Sequence, residues 1–140
     1  MNIKNLLGHK FLLCLLIVLI SVITWASLAR FINPIGIKVK GSDKIGHFTA
    51  YFVLSTVFFL FLFFSEKLNK SLKTSIYIAF VVCVLYGILM EVLQYSLTTY
   101  RSSEWYDVIA NTSGTVFALF IIILLKNKLI KIKQNNQIIS

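Results

Sequence analysis

Apolar residues run along this chain in four long blocks, Phe11–Ala29, Phe48–Phe64, Ile76–Tyr95 and Val108–Leu125, with polar residues gathered between them. Each block holds 17 to 20 residues. At a helical rise of ~1.5 Å per residue such a block spans roughly 26–30 Å, the thickness of a bilayer's hydrocarbon core. Phe, Leu, Ile and Val continue around all faces, without the polar stripe of a soluble amphipathic helix. In lipid every backbone N–H and C=O needs a partner within the segment, so the blocks are predicted to be helices. The pattern thus predicts an all-α polytopic membrane protein with four transmembrane helices, about 11–29, 48–64, 76–95 and 108–125, in one membrane domain over 1–140.

The segments between the blocks carry weaker signals. Lys4 and Lys10 precede the first block and Ser27-Leu28-Ala29 closes it, as in a cleaved signal peptide. The block is longer than a usual signal core, which favours a retained helix. Ile35, Ile37 and Val39 alternate with Gly36, Lys38 and Lys40 after the lone Pro34, a period of two that predicts an extended segment. Ser42 is placed to cap the second helix and Asp43 to meet its dipole. The basic tail 126–140 is expected to rest on an anionic membrane surface or to be disordered.

Composition agrees with the pattern. Of 140 residues, 58% are hydrophobic and 14% charged, and the mean hydropathy is +0.84. Soluble proteins run about 25% charged, so a soluble globular domain, a disordered chain and a disulfide scaffold are all excluded. The formal charge of +9 reads as topology. Nine bases (Lys4, Lys10, Lys67, Lys70, Lys73, Lys126, Lys128, Lys131 and Lys133) and Glu66 fall on one side of the four-helix map. Five bases (Arg30, Lys38, Lys40, Lys44 and Arg101) and four acids fall on the other. The bias places both termini in the cytoplasm. A soluble nucleic-acid binder would carry its bases on a water-facing surface, so no nucleic-acid partner is expected. Trp25, Tyr95, Tyr100, Trp105 and Tyr106 would line the outer interface as an aromatic belt. Cys14 and Cys83 read as small hydrophobes.

The same map brings polar groups from three helices to one depth on the outer side. The second helix enters at Asp43, Lys44 and His47, with Asp43 and His47 one turn apart and Tyr51 and Ser55 continuing their face. The third leaves past Glu91 and Gln94, with Gly87 one turn behind. The fourth enters at Asp107 and Asn111 after Arg101, and Asp107, Asn111, Gly114 and Ala118 form one stripe on which a neighbouring helix can pack closely. Glu91 is the costliest of these to bury, and Lys44, Arg101 or His47 are its candidate partners. His47, Glu91 and Asp107 are the candidate acid–base residues, with Asp43, Lys44, Gln94, Arg101 and Asn111 as candidate binding residues. His47 with Glu91 and Asp107 has the donor types of a metal site. No second histidine joins them and no H-E-x-x-H occurs, so neither a metal nor another cofactor is expected.

These residues also carry a resemblance. Asp43-Lys44-Ile45-Gly46-His47-Phe48-Thr49-Ala50-Tyr51 resembles the D-K-x-x-H-F-x-x-Y signature of VanZ-like membrane proteins. Tyr86-Gly87 through Glu91 and Gln94 is similar to that family's Y-G-x-x-x-E-x-x-Q segment, and Arg101 with Asp107, Asn111 and Gly114 to its R…D-x-x-x-N-x-x-G segment. The match covers about Asp43–Ala118. It implies a small multi-pass protein of the bacterial plasma membrane, from a family whose name-giving member is associated with teicoplanin resistance. It supplies no catalytic residue. Two functions stay open at this point. In one, an outward-facing polar site binds or modifies a lipid-linked or cell-wall component, with Arg101 and Lys44 on an anionic group and Glu91 or His47 as acid or base. In the other, the polar layer only locks the helices of a partner-binding scaffold. A transporter or proton relay fits less well, since four helices are few and no acid lies near the midplane.

Overall fold

A computed structural model describes residues 8–29, 42–98 and 104–138, with the side chains of 42 and 136–138 outside that description. Five helices account for nearly all of them: α1 (His9–Leu28), α2 (Ser42–Phe64), α3 (Leu72–Leu97), α4 (Trp105–Leu124) and α5 (Lys126–Ile138). The described residues contain no strand. The first four helices are long and apolar enough to cross a membrane, so the chain is an all-α protein with four candidate spans. Pro34, the alternating segment after it, Tyr100 and Arg101 lie outside the described residues.

Helix ends extend beyond the apolar blocks because polar caps hold them. Ser71 Oγ accepts from the backbone N–H of Thr74 at 3.2 Å and starts α3 four residues before Ile76. Asn69, with φ 39°, turns the chain into that cap. At α4 the Asp107 carboxylate accepts from the Glu104 backbone N–H at 3.4 Å, covering a donor that would otherwise be orphaned at the helix start. α2 begins at Ser42 itself, with Asp43 in its first turn.

α2 and α4 form the most extensive packing in the bundle. They are also its most buried spans, at 44% and 39% against 22% for α1 and 28% for α3. They approach so closely at Gly114 that a Cβ there would stand 2.2 Å from the Phe48 carbonyl oxygen. One core cluster joins Leu12, Phe59, Leu62, Phe63, Ala79, Leu119 and Ile122. A second joins Leu16, Ile23, Tyr51, Leu54, Val57 and Cys83. α1 packs within both clusters, and its Thr24 hydroxyl meets Tyr86 Oη at 2.8 Å while Tyr86 donates to the Ile20 carbonyl at 3.2 Å. Ile17, Val18, Tyr77, Leu85 and Phe120 are exposed, as lipid-facing positions must be in a helix bundle with no water around its waist.

His9 Nδ1 lies 2.6 Å from Ser65 Oγ, so the start of α1 and the end of α2 share one end of the bundle. The tail departs from expectation. Residues 126–138 are helical, continuing from α4 after a break at Leu125. Leu129 and Ile132, one turn apart, pack on the first core cluster. Lys133 Nζ lies 4.5 Å from the Phe63 ring centroid and donates to the Lys70 carbonyl at 3.0 Å. Partial burial lowers the proton affinity of that ammonium. The tail's charge hides this helix in the sequence, where only the spacing of its few apolar residues marks it.

Candidate functional site

The end of the bundle opposite His9 and Lys133 gathers the polar residues of three helices. From α2 come Asp43, Lys44 and His47; from α3, Glu91 and Gln94; from α4, Glu104, Asp107 and Asn111. The layer is graded. Asp43, Lys44 and Glu104 form an exposed rim, with side chains 56%, 41% and 50% accessible. His47 at 11%, Glu91 at 5% and Asp107 at 3% form a buried floor, joined by buried Gln94 and Asn111.

The floor is wired through Asn111. Its Nδ2 donates to Glu91 Oε1 at 3.2 Å, and its Oδ1 lies 3.0 Å from His47 Nδ1. With its NH₂ given to Glu91, Asn111 presents its carbonyl to His47 and accepts from Nδ1. Nε2 is then the ring nitrogen toward the rim, 3.8 Å from Asp43 Oδ1. Glu91 Oε1 also lies 3.7 Å from His47 Nδ1. Below the floor Ser55 Oγ donates to Thr115 Oγ1 at 3.0 Å, and Thr115 donates to the Asn111 carbonyl at 3.1 Å. The Ser55–Thr115 bond ties α2 to α4 beneath His47.

Packing holds the network rigid. A Cβ at Gly87 would meet Tyr51 Cε1 at 3.2 Å and Asn111 Cβ at 3.3 Å, so this glycine lets α3 bring Glu91 up to Asn111. The Asp107, Asn111, Gly114 and Ala118 stripe is buried along its length. Two buried atoms lack a hydrogen bond in the described structure at this end, Tyr51 Oη and Asp107 Oδ1.

Of the partners expected for Glu91, the structure brings His47 to it at 3.7 Å, beside Asn111, whereas Lys44 turns away to Glu104 Oε2 at 2.8 Å and Asp107 Oδ1 at 3.7 Å. Lys44 also lies 5.6 Å from the Tyr106 ring centroid. Glu104 is the residue that sequence reasoning missed. Its signal was present: an acid three positions before Asp107, immediately ahead of an apolar run, is a helix-start pattern. Arg101 lies outside the described residues. Among them the layer holds four acids (Asp43, Glu91, Glu104 and Asp107) against one lysine. One donor atom from each of Asp43, His47 and Asp107 lies within 4.8 Å of the other two. On the flank of α4, Phe48, Trp105, Val108, Ile109, Thr112 and Phe117 line an open, mostly apolar groove of about 550 Å³.

Comparison with known proteins agrees with the resemblance in the motifs. A model of the VanZ/LLP1 family matches residues 9–126. An uncharacterized protein of the fission yeast Schizosaccharomyces pombe (strain 972) is 30% identical over 126 residues, covering 89% of this chain and 71% of its own length. No solved structure matches.

Proposed function

The chain belongs to the VanZ/LLP1 family of proteins, and we propose that its polar end binds the headgroup of an envelope lipid or lipid-linked molecule, with the apolar part of that ligand lying along α4. The observation that carries this is the Glu91–Asn111–His47 network, which aims one imidazole nitrogen at a water-exposed rim from a floor inside the apolar layer. Burying Glu91 at this depth costs free energy that a purely mechanical lock would not need. The groove is lined by Phe48 and Trp105, chain neighbours of His47 and Glu104, and suits an acyl chain. The site faces the outer surface of a bacterial plasma membrane, with both termini cytoplasmic, in keeping with the segregation of bases. His47 is the candidate acid or base of any reaction on the headgroup, Glu91 and Asn111 orient it, and Asp107 faces the ligand. Gln94 joins Glu91 on α3.

A relative in a fission yeast favours a ligand made of membrane lipid over one confined to the bacterial wall. Teicoplanin resistance would then be one consequence of altered envelope lipid. In the test, wild type and Glu91→Gln are purified from the same membranes, their bound lipids are compared by mass spectrometry, and strains carrying each are assayed for envelope lipid composition and teicoplanin susceptibility. The expected result is a folded Glu91→Gln protein that loses lipid enrichment and phenotype together. Unchanged lipid and phenotype would sink the proposal.

The Ser55–Thr115 bond and the close Gly114 contact favour a second reading, in which the buried polar groups only lock the helices of a scaffold. On that reading Glu91→Gln lowers the yield of folded protein, and phenotype falls only in proportion.

A further inference from the structure

We propose that Asp43, His47 and Asp107 form a site for a divalent transition-metal ion such as Zn²⁺ or Mn²⁺, through which the headgroup is held. The inference rests on the site described under the proposed function and names what its lone pairs meet.

Three observations lead to it. The donor atoms are already grouped, all within 4.8 Å of one another. Two of the donors already face each other: with Nδ1 turned to Asn111, His47 Nε2 and Asp43 Oδ1 stand 3.8 Å apart, too far for a hydrogen bond. Asp107 is 97% buried at its side chain (3% accessible) yet its Oδ1 has no hydrogen bond in the described structure. The Lys44 ammonium stands 3.7 Å from that oxygen but is held at 2.8 Å by Glu104. A buried carboxylate oxygen met only by this long, shared ion pair gains from a closer cation.

The donor chemistry fits such an ion. One imidazole and two carboxylates suit borderline divalent metals and leave a coordination position open. Metal–ligand bonds of about 2.0–2.2 Å require the three donors to draw in by roughly 1 Å, and Asp43, with its side chain 56% accessible, is the donor that burial holds least. Asn111, accepting the second ring N–H of His47, is the outer partner that histidine ligands ordinarily have. Charge argues the same way. Among the described residues the layer carries four acids and one lysine. A dication neutralises Asp43 and Asp107 and presents positive charge at the rim. The trio replaces Glu91 of the sequence-based grouping with Asp43, because Glu91 Oε1 is taken by Asn111.

The test uses the full chain in detergent with any affinity tag removed. It is titrated with Co²⁺, whose visible absorption reports coordination, and then with Zn²⁺. The expected result is one Co²⁺ per chain, displaced by Zn²⁺. His47→Gln and Asp43→Asn each weaken binding by about tenfold or more with unchanged helicity by circular dichroism; Asp43 is exposed, so its variant folds. Lys44→Met binds as tightly or more tightly, because the ammonium competing for Asp107 is gone. Absence of stoichiometric binding, or binding that ignores Asp43→Asn and His47→Gln, overturns the inference. The lipid enrichment that tests the proposed function is measured separately, so a chain that carries lipid but no metal refutes this inference alone.

Discussion

Two glycines one helix apart show how much a single hydrogen can matter here. At Gly114 a Cβ would press within 2.2 Å of the Phe48 carbonyl oxygen, 3.0 Å of its carbon and 3.1 Å of the Phe52 nitrogen. These are backbone atoms and have no rotamer to escape into, so Gly114→Ala must push α2 and α4 apart. We expect it to cost about 1–3 kcal/mol, read as a lower thermal midpoint in detergent, with His47 and Asn111 moved out of hydrogen-bond range. Gly46 is the matched control, since a Cβ there meets nothing within 4 Å. Gly46→Ala in α2 should stabilise the helix by roughly 0.5–1 kcal/mol and leave the site intact. Equal effects of the two changes would refute the close crossing. Asn111 shows the same economy in polar form. An amide both donates and accepts, so it satisfies Glu91 and sets the tautomer of His47 at once; Asp or Leu at 111 would lose one of those functions or both.

Among the elements, α3 is longer than its apolar block because Ser71 caps it a turn upstream. Ser71→Ala should cost about 1 kcal/mol, seen as a lower unfolding midpoint, with the site at the far end of α3 unaffected. The caps also explain which boundaries were legible. Apolar periodicity predicts where lipid contact begins, whereas hydrogen bonds decide where a helix begins, and at α3 and α4 the two differ by three or four residues. α5 is the clearer miss. Its mean composition is polar, but Leu129, Ile132 and the stem of Lys133 cover the Phe63 end of the core, and three such contacts outweigh an average over thirteen residues.

For the whole molecule, charge is segregated by end. His9, Lys67, Lys70, Lys73 and Lys133 flank one end of the bundle, and Asp43, Glu104 and Asp107 occupy the other. If the basic end is cytoplasmic, a cysteine introduced as Glu104→Cys reacts with a membrane-impermeant maleimide on intact cells. One introduced as Lys67→Cys reacts only after the membrane is opened. The background should replace Cys14 and Cys83, both free thiols. The reverse pattern would invert the protein and with it the assignment of the site to the outer face.

The lipid-spanning helices, their number and the depth at which polar groups collect were all readable from the order of residues, because hydropathy and a rise of ~1.5 Å per residue convert position directly into depth. Partnership was not. Lys44, His47 and Arg101 were equal candidates for Glu91 at that depth; among the described residues the folded chain gives Lys44 to Glu104 and sets His47, with Asn111, against Glu91. The reason is rotational. Which side chain meets which across a bundle depends on how each helix is turned about its axis. That angle is set by the close approach at Gly114 and Gly87 and by the Ser55–Thr115 bond, contacts between residues that are far apart in the chain.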